Sequence, residues 1–290
     1  MRGRTRVAER IGAVVITRNE EQNIADCLRS LAFCDERVVV DSFSSDRTVE
    51  IACTHAEHVY RRDFIHHAEQ KNWAVDQLGS EWVLILDADE RVDEDLAREL
   101  RRHVDEGDRD GWWIYRRNYF FGRFIKGAGW NRDRVLRLYR RDRGRYDDRC
   151  VHEEVVLVDG AQAGCCEHRI LHYSYTEWAS SFQRLLDYSR AGARERARRG
   201  QRGSVAAVLF KPCGRFFRQY IIDAGFRDGL HGLVLCQWSA LGVFLREARL
   251  LLGDTGEAEV SRGPIPEPRV ECVQGRLPRG SRPGGSPGPE

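Results

Sequence analysis

A chain of 290 residues, 41% of them hydrophobic, is long enough for one large α/β core plus an appendage. Nine cysteines without C-x-x-C spacing, and an adjacent Cys165-Cys166 lacking a histidine at zinc-finger spacing, argue for reduced thiols and against a disulfide framework or structural zinc. The formal charge of +2 conceals basic stretches: residues 116–149 carry twelve basic and four acidic side chains, and 184–218 carry ten and two. Such stretches attract phosphates, nucleic acid or an anionic membrane face. Only three of the 47 basic residues are lysines, so a single arginine carries little functional signal.

In chain order, residues 1–10 are polar and expected to be flexible, with no apolar core of signal-peptide length. Ile11 to Ile16 reads as a buried strand running into Thr17-Arg-Asn-Glu20, followed by a helix with Ile24, Leu28 and Leu31 on one face. Arg37 to Asp41 is a second strand, and Ser44-Ser45-Asp46 offers caps for a helix containing Val49 and Ala52. His58-Val-Tyr60 makes a short third strand, and 66–78 a helix. Trp82 to Leu86 is an unbroken apolar run, the pattern of a strand buried on both faces of a parallel sheet. Val92, Leu96, Leu100 and Val104 recur every four residues, marking another amphipathic helix. Four β-α units in about 100 residues predict an α/β fold with a doubly wound, mainly parallel sheet.

The fourth strand ends in Asp87-Ala88-Asp89. Carboxylates at i and i+2 can point the same way, and ligands sit at the carboxyl ends of strands in open α/β sheets. Hard oxygens there suit Mg²⁺ or Mn²⁺ carrying a diphosphate. The plain alternative is a solvated loop capping the next helix. No G-x-G-x-x-G follows the first strand and no P-loop motif occurs, so the sheet must hold its nucleotide with side-chain carboxylates and a metal.

Beyond Gly111 the pattern changes. Trp112–Arg117, Arg134–Arg140 and Glu153–Val158 read as strands, the first two separated by the aromatic, glycine-bearing stretch 118–130, and 168–175 closes the sheet. From Glu177 to Leu252 the pattern is helical and strongly apolar near 216–252, yet no charge-free run reaches the length of a membrane span. Apolar helices beside basic segments suit peripheral attachment to an anionic leaflet, with an ordinary helical subdomain as the alternative. Residues 253–290 hold seven of the eight prolines and eight glycines and are expected to be disordered.

Six motifs in order carry a resemblance: Thr17-Arg-Asn-Glu-Glu, Val40-Asp-Ser-Phe-Ser-Ser-Asp-Arg-Thr48, Gln70-Lys-Asn72, Leu86-Asp-Ala-Asp-Glu90, His152-Glu153 and His172-Tyr-Ser-Tyr175. Over residues 11–250 the chain resembles family 2 glycosyltransferases, most of all the branch with bacterial lipopolysaccharide core β-glucosyltransferases. The resemblance implies a GT-A fold spanning 11–176, with a nucleotide half (11–110) and an acceptor half (111–176). It also implies a nucleotide-sugar donor such as UDP-glucose, a divalent metal, inversion at the anomeric carbon, and a glycan or glycolipid acceptor. By the same resemblance Thr17, Asn19 and Glu20 line the nucleotide pocket, Asp41 reads the base, and Lys71 lies near the nucleotide. Asp87 contacts ribose or metal, Asp89 and His172 bind metal, and Glu153 is the catalytic base.

Inversion needs a base for the acceptor hydroxyl and positive charge for the departing diphosphate. Arg137 in the basic strand is a candidate for the diphosphate or an anionic acceptor, against a solvated strand face. Trp130 is a candidate sugar platform, against a core tryptophan. Glu154 doubles the acid at 153, but neighbouring strand residues face opposite ways, so one of the two reaches a site. The expected location is cytoplasmic, on or near the inner membrane face. A catalytically silent nucleotide- or glycan-binding protein is the alternative function. Nucleic-acid binding is disfavoured because the basic stretches contain no recognised motif.

Overall fold

The computed structural model describes residues 8–147, 154–255 and 267–279. In chain order the first elements are β1 (Ile11–Thr17), α1 (Ile24–Ser30), β2 (Glu36–Asp41), α2 (Thr48–Cys53) and β3 (His58–Arg62). Next come α3 (His67–Gln77), β4 (Trp82–Asp87), β5 (Glu90–Arg91), α4 (Glu94–Glu106), β6 (Gly111–Phe120), β7 (Arg123–Phe124), β8 (Arg134–Arg140), β9 (Gly144–Tyr146) and β10 (Val155–Leu157). The chain continues through β11 (Ala163–Tyr175), α5 (Trp178–Arg198), α6 (Val205–Phe217), α7 (Gly229–Leu252) and β12 (Val270–Gln274). It folds as two compact units. The first comprises Met1–Tyr115, Arg134–Ile170 and Glu267–Glu290; the second comprises Arg116–Asp133 and Leu171–Pro266. The acceptor half expected at 111–176 is therefore divided between them.

In the first unit the strand order is β12-β3-β2-β1-β4-β8-β6-β11-β5. β1 runs parallel to β2 and β4, and β2 parallel to β3, while β8 joins β4 antiparallel. The strands are apolar on both faces because helices cover both: Ala13, Val15, Leu84 and Leu86 belong to one core cluster with α1 and α4. Val14, Val38, Val40, Val83 and Ile85 belong to a second with α3. Local signals end the helices as the sequence requires. The Asp93 carboxylate accepts the Leu96 N–H at 2.9 Å to start α4, and Gly107, at φ 58°, stops it. The Ser44-Ser45-Asp46 cap is met by Asp46 alone, which accepts the Thr48 N–H at 3.0 Å; Ser44 turns back onto Asp41.

Disorder from 253 to 290 does not hold for residues 267–279. β12 pairs antiparallel with β3, placing Val270 opposite Arg62 and Cys272 opposite Tyr60. Tyr60 donates its hydroxyl hydrogen to the Arg276 carbonyl at 2.8 Å, and an Arg276 guanidinium nitrogen lies 2.6 Å from a Glu36 oxygen. Backbone pairing at a sheet edge needs no long apolar run, so a segment rich in proline and glycine can still be held.

The second unit contains the far parts of β6 and β11, the β6–β7 hairpin, and α5 to α7. Its core gathers Phe120, Ile125, Ala128, Leu235 and Cys236. No helix among the described residues is long and apolar enough to cross a membrane.

Candidate active site

The sheet order reverses at β1: β2 lies on one side and β4 on the other, so the crevice at their carboxyl ends is where such a sheet takes a ligand. Register brings the motif residues level there, with Thr17 opposite Asp41 and Ile16 opposite Asp87. Thr17 is buried, and its hydroxyl has no hydrogen-bond partner. A buried hydroxyl at a strand end keeps its capacity to donate and accept a hydrogen bond.

Asp41 is fully buried. Burial raises its carboxyl above the ordinary value, opposed by hydrogen bonds from the Ser44 N–H and hydroxyl and by the Arg61 guanidinium 3.8 Å away. Asn19, in the left-handed region at φ 54°, gives its N–H to the Ser44 hydroxyl at 2.8 Å and accepts the Ser45 N–H at 2.9 Å. The Glu20 N–H binds the Thr48 hydroxyl at 2.8 Å. The loops after β1 and β2 are thus tied into one surface. Ser44, which the sequence reading uses only as a cap, is its hub.

At the end of β4, Asp87 lies between two cations. Lys71 Nζ is 3.7 Å from one carboxylate oxygen, and Arg137 donates from Nη2 to the other. The same Nη2 meets Glu90 at 2.9 Å, and Glu90 also accepts the Asp87 N–H at 2.9 Å. Burial opposes the charge on Arg137, but Asp87 and Glu90 outweigh it and keep its pKa well above the usual guanidinium value. Arg137 is only 2% exposed, so it departs from the role of gripping a diphosphate or anionic acceptor. Its reach is taken up by the two acids, one of them the fully buried Glu90, which the sequence reading left without a role. A spacing of fifty positions gives no local signal for such a pair.

The Gln70-Lys-Asn motif likewise acts by tying. Gln70 accepts from Arg62 at 2.7 Å, Lys71 reaches Asp87, and Asn72 exchanges two 3.0 Å hydrogen bonds with the Tyr146 backbone. Tyr146 ends β9, whose hairpin with β10 brackets the connection carrying His152 and Glu153. Glu153, the expected base, lies outside the described residues. Glu154 is described and exposed.

Asp89, 9% exposed, and Asp87 supply oxygen donors only, and the orphan Thr17 hydroxyl lies at the neighbouring strand end. That set fits Mg²⁺ or Mn²⁺, which bind through one or two carboxylates with substrate phosphates filling further positions. Among the described residues, Glu99, His103 and Cys166, all buried, lie within ligand spacing of one another. The Glu99 oxygens already accept the Glu167 N–H at 2.7 Å, the His168 N–H at 2.9 Å and the His168 ring at 2.8 Å. This carboxylate anchors β11 to α4.

In the second unit, His172 meets Asn118 Oδ1 at 2.6 Å, and Asn118 donates to Asp133 at 3.1 Å. Trp130 stacks on Tyr175 at 5.8 Å and meets Phe120 edge-on at 6.1 Å. Its packing is partly that of a core tryptophan.

Residues 13–163 match the sequence profile of Glycosyl transferase family 2. The chain belongs to that family. The sheet of the first unit is accordingly the GT-A arrangement, and the protein is a glycosyltransferase. It is 30% identical over 247 residues to the lipopolysaccharide core biosynthesis glycosyltransferase LpsC of Rhizobium meliloti (strain 1021), covering 83% of this chain and 91% of LpsC. An uncharacterized glycosyltransferase of Rickettsia bellii (strain RML369-C) is 26% identical over 84% of this chain and 87% of its own length. Among solved structures, S. aureus TarS 1-349 aligns with TM-score 0.40 and 16% identity, over 82% of this chain and 80% of that one. TarS 1-349 in complex with UDP-GlcNAc aligns at 0.38 and 19%, over 82% and 81%. Likenesses at that level carry nothing about substrate.

Proposed function

We propose that this glycosyltransferase moves glucose from UDP-glucose to a lipopolysaccharide core or related glycan acceptor, with inversion. The observation that supports the reading is the strand-end cluster: Thr17 with its unpartnered hydroxyl, Asp41 level with it, and Asp87-Ala-Asp89 on the adjacent strand. Thr17, Asn19, Glu20 and Asp41 hold the nucleotide, with Asp41 directed at the base. Lys71 and Arg137 fix the rotamer of Asp87 so that it meets the ribose or metal already oriented. Asp89 would hold Mg²⁺ or Mn²⁺ together with Asp87. When bound, the cation supplies Lewis-acid charge for the leaving diphosphate. Glu153 takes the proton of the acceptor hydroxyl as that oxygen bonds to the anomeric carbon and the bond to the diphosphate breaks on the opposite face. Trp130 covers an apolar sugar face.

A donor panel read by released nucleotide, with LpsC-type core oligosaccharide as acceptor and Mn²⁺ present, tests the reading. UDP-glucose should lead the panel, and Asp89→Ala should abolish turnover. Equal turnover by Asp89→Ala sinks the metal role. UDP binding by calorimetry with no turnover of any donor replaces the enzyme with a silent binder.

The same reading places the second unit at an anionic membrane face. α6 contains no buried residue although it reads Val-Ala-Ala-Val-Leu-Phe-Lys-Pro-Cys-Gly-Arg-Phe-Phe. Leu209 is 58% exposed and Phe210 72%. A helix this apolar with no buried side chain suits the headgroup boundary of a bilayer.

A further inference from the structure

The second unit contains a concavity of about 290 Å³ lined by Lys126, Arg132 and Arg227, with Asp223 as its carboxylate. Its frame is fixed by backbone. The buried Asp228 carboxylate accepts the N–H of Lys126 at 2.9 Å and of Gly127 at 2.7 Å, drawing the 126–129 loop onto the 224–228 turn. Approach is so close that a Cβ on Gly127 would lie 2.3 Å from the Ala224 carbonyl oxygen, which restricts the position to glycine.

The charges in this frame do not cancel. Asp223 is shared by Arg132 and Arg218 at a long 3.9 Å each, and Arg132 remains 78% exposed. Lys126 and Arg227 are exposed and form no ion pair among the described residues. Three cations and the Asp223 carboxylate thus line a small concave surface, with the buried Asp228 carboxylate already occupied by two backbone N–H groups behind it.

The rim is apolar. Ile222 lines the concavity and is 76% exposed, and Ile221, Phe226, Leu230 and Phe217, close to it in the chain, are exposed as well. A free anion would gain nothing from that lip. An anion attached to an apolar body matches both features, since guanidinium and ammonium groups take phosphate oxygens while the side chains around them enter the acyl boundary.

We propose that this pocket binds the phosphate of an anionic phospholipid headgroup, anchoring the second unit at a defined point of the leaflet. The inference rests on the membrane-facing reading of that unit. It differs from diffuse charge attraction, in which any exposed arginine contributes equally.

The test is sedimentation of the full-length protein with phosphatidylcholine vesicles, with and without phosphatidylglycerol. Lys126→Gln/Arg227→Gln is compared with Arg198→Gln/Arg202→Gln, which removes the same charge elsewhere on the unit; melting curves confirm folding. The pocket variant should lose affinity for phosphatidylglycerol vesicles by on the order of tenfold or more, and the control variant by about threefold or less. Equal losses, or none, overturn the pocket. Calorimetry with glycerol 3-phosphate distinguishes the source: tight binding of this soluble phosphate, lost in the pocket variant while vesicle affinity holds, overturns the lipid assignment. Phe217→Ser/Ile222→Ser reads the membrane contact separately. If that variant and wild type bind both vesicle types equally weakly, it is the membrane reading that fails.

Discussion

The strand ends of the first unit and the concavity of the second treat charge in opposite ways. At the strand ends of the first, the ionic groups are withdrawn from water and matched: the Arg137 and Lys71 side chains are 3% and 6% exposed, and both reach Asp87. In the second, Arg132 is 78% exposed and its nearest acid is 3.9 Å away. Buried charge is costly unless paired and hydrogen-bonded, so charges held there have a fixed geometry. Exposed charge keeps its hydration and its freedom, which suits a surface that meets a soft, variable partner. On the proposed reading, the contrast separates a site pre-arranged for chemistry from a surface arranged for docking.

The sharpest way to break that contrast is at the chemistry itself. Glu153→Gln should lower kcat by about 10²–10⁴-fold and leave UDP affinity by calorimetry unchanged. A full rate would remove the catalytic side of the comparison. Arg137→Met comes next. It takes the guanidinium from the fully buried Glu90 and leaves Asp87 with Lys71, and should cost about 3–5 kcal/mol in urea unfolding. A smaller loss would show that water already screens the pair.

Glu99 tests the buried ties by pH. Burial alone would raise its carboxyl, but the Glu167 and His168 N–H groups outweigh this and hold it below the ordinary 4.5. A depressed carboxyl stabilises the fold above its unfolded value and loses that contribution as pH falls through the folded one. Glu99→Gln should therefore be less stable than wild type by about 1.5–3 kcal/mol near neutrality, with the gap closing below pH 4.5. A pH-independent gap would point to packing instead.

Arg269 probes the tail. It lies over the Phe43 ring at 3.8 Å, and its backbone exchanges hydrogen bonds with Asp63 of 3.1 and 2.9 Å. Phe43, at φ 53°, sits in the loop that holds Asp41. Loss of a cation–π contact worth about 1 kcal/mol predicts that Arg269→Ala raises donor KM about fivefold, with acceptor KM and kcat unmoved. The smallest effect belongs to the second unit: Phe210→Ser should change stability by no more than about 0.5 kcal/mol, as for an exposed site. A larger loss would mean that the Phe210 ring itself packs against protein.

Much of the first unit was legible from residues alone. Apolar runs at 11–16, 38–40 and 82–86 became parts of β1, β2 and β4, and the carboxylates closing the last two, Asp41 and Asp87, stand on the strands that flank β1. The repeat of Val92, Leu96, Leu100 and Val104 became the buried face of α4. Less legible were side chains whose meaning depends on a distant partner. Arg137 reads as a surface cation until Glu90 and Asp87 are seen beside it. Ser44 reads as a cap until Asn19 and Asp41 close on it.

By itself, the sequence determined the alternation of strands and helices through residue 106, and that Asp41 and Asp87 close two of the parallel strands. Periodicity, caps and strand-terminal acids are local properties, decided within a few residues. Only tertiary structure decided that Arg137 serves an aspartate, that a proline-rich tail adds β12 to β3, and that α6 leaves every one of its apolar residues at least partly in solvent. Each of those outcomes depends on which remote segment arrives alongside, and on whether any segment arrives to exclude water.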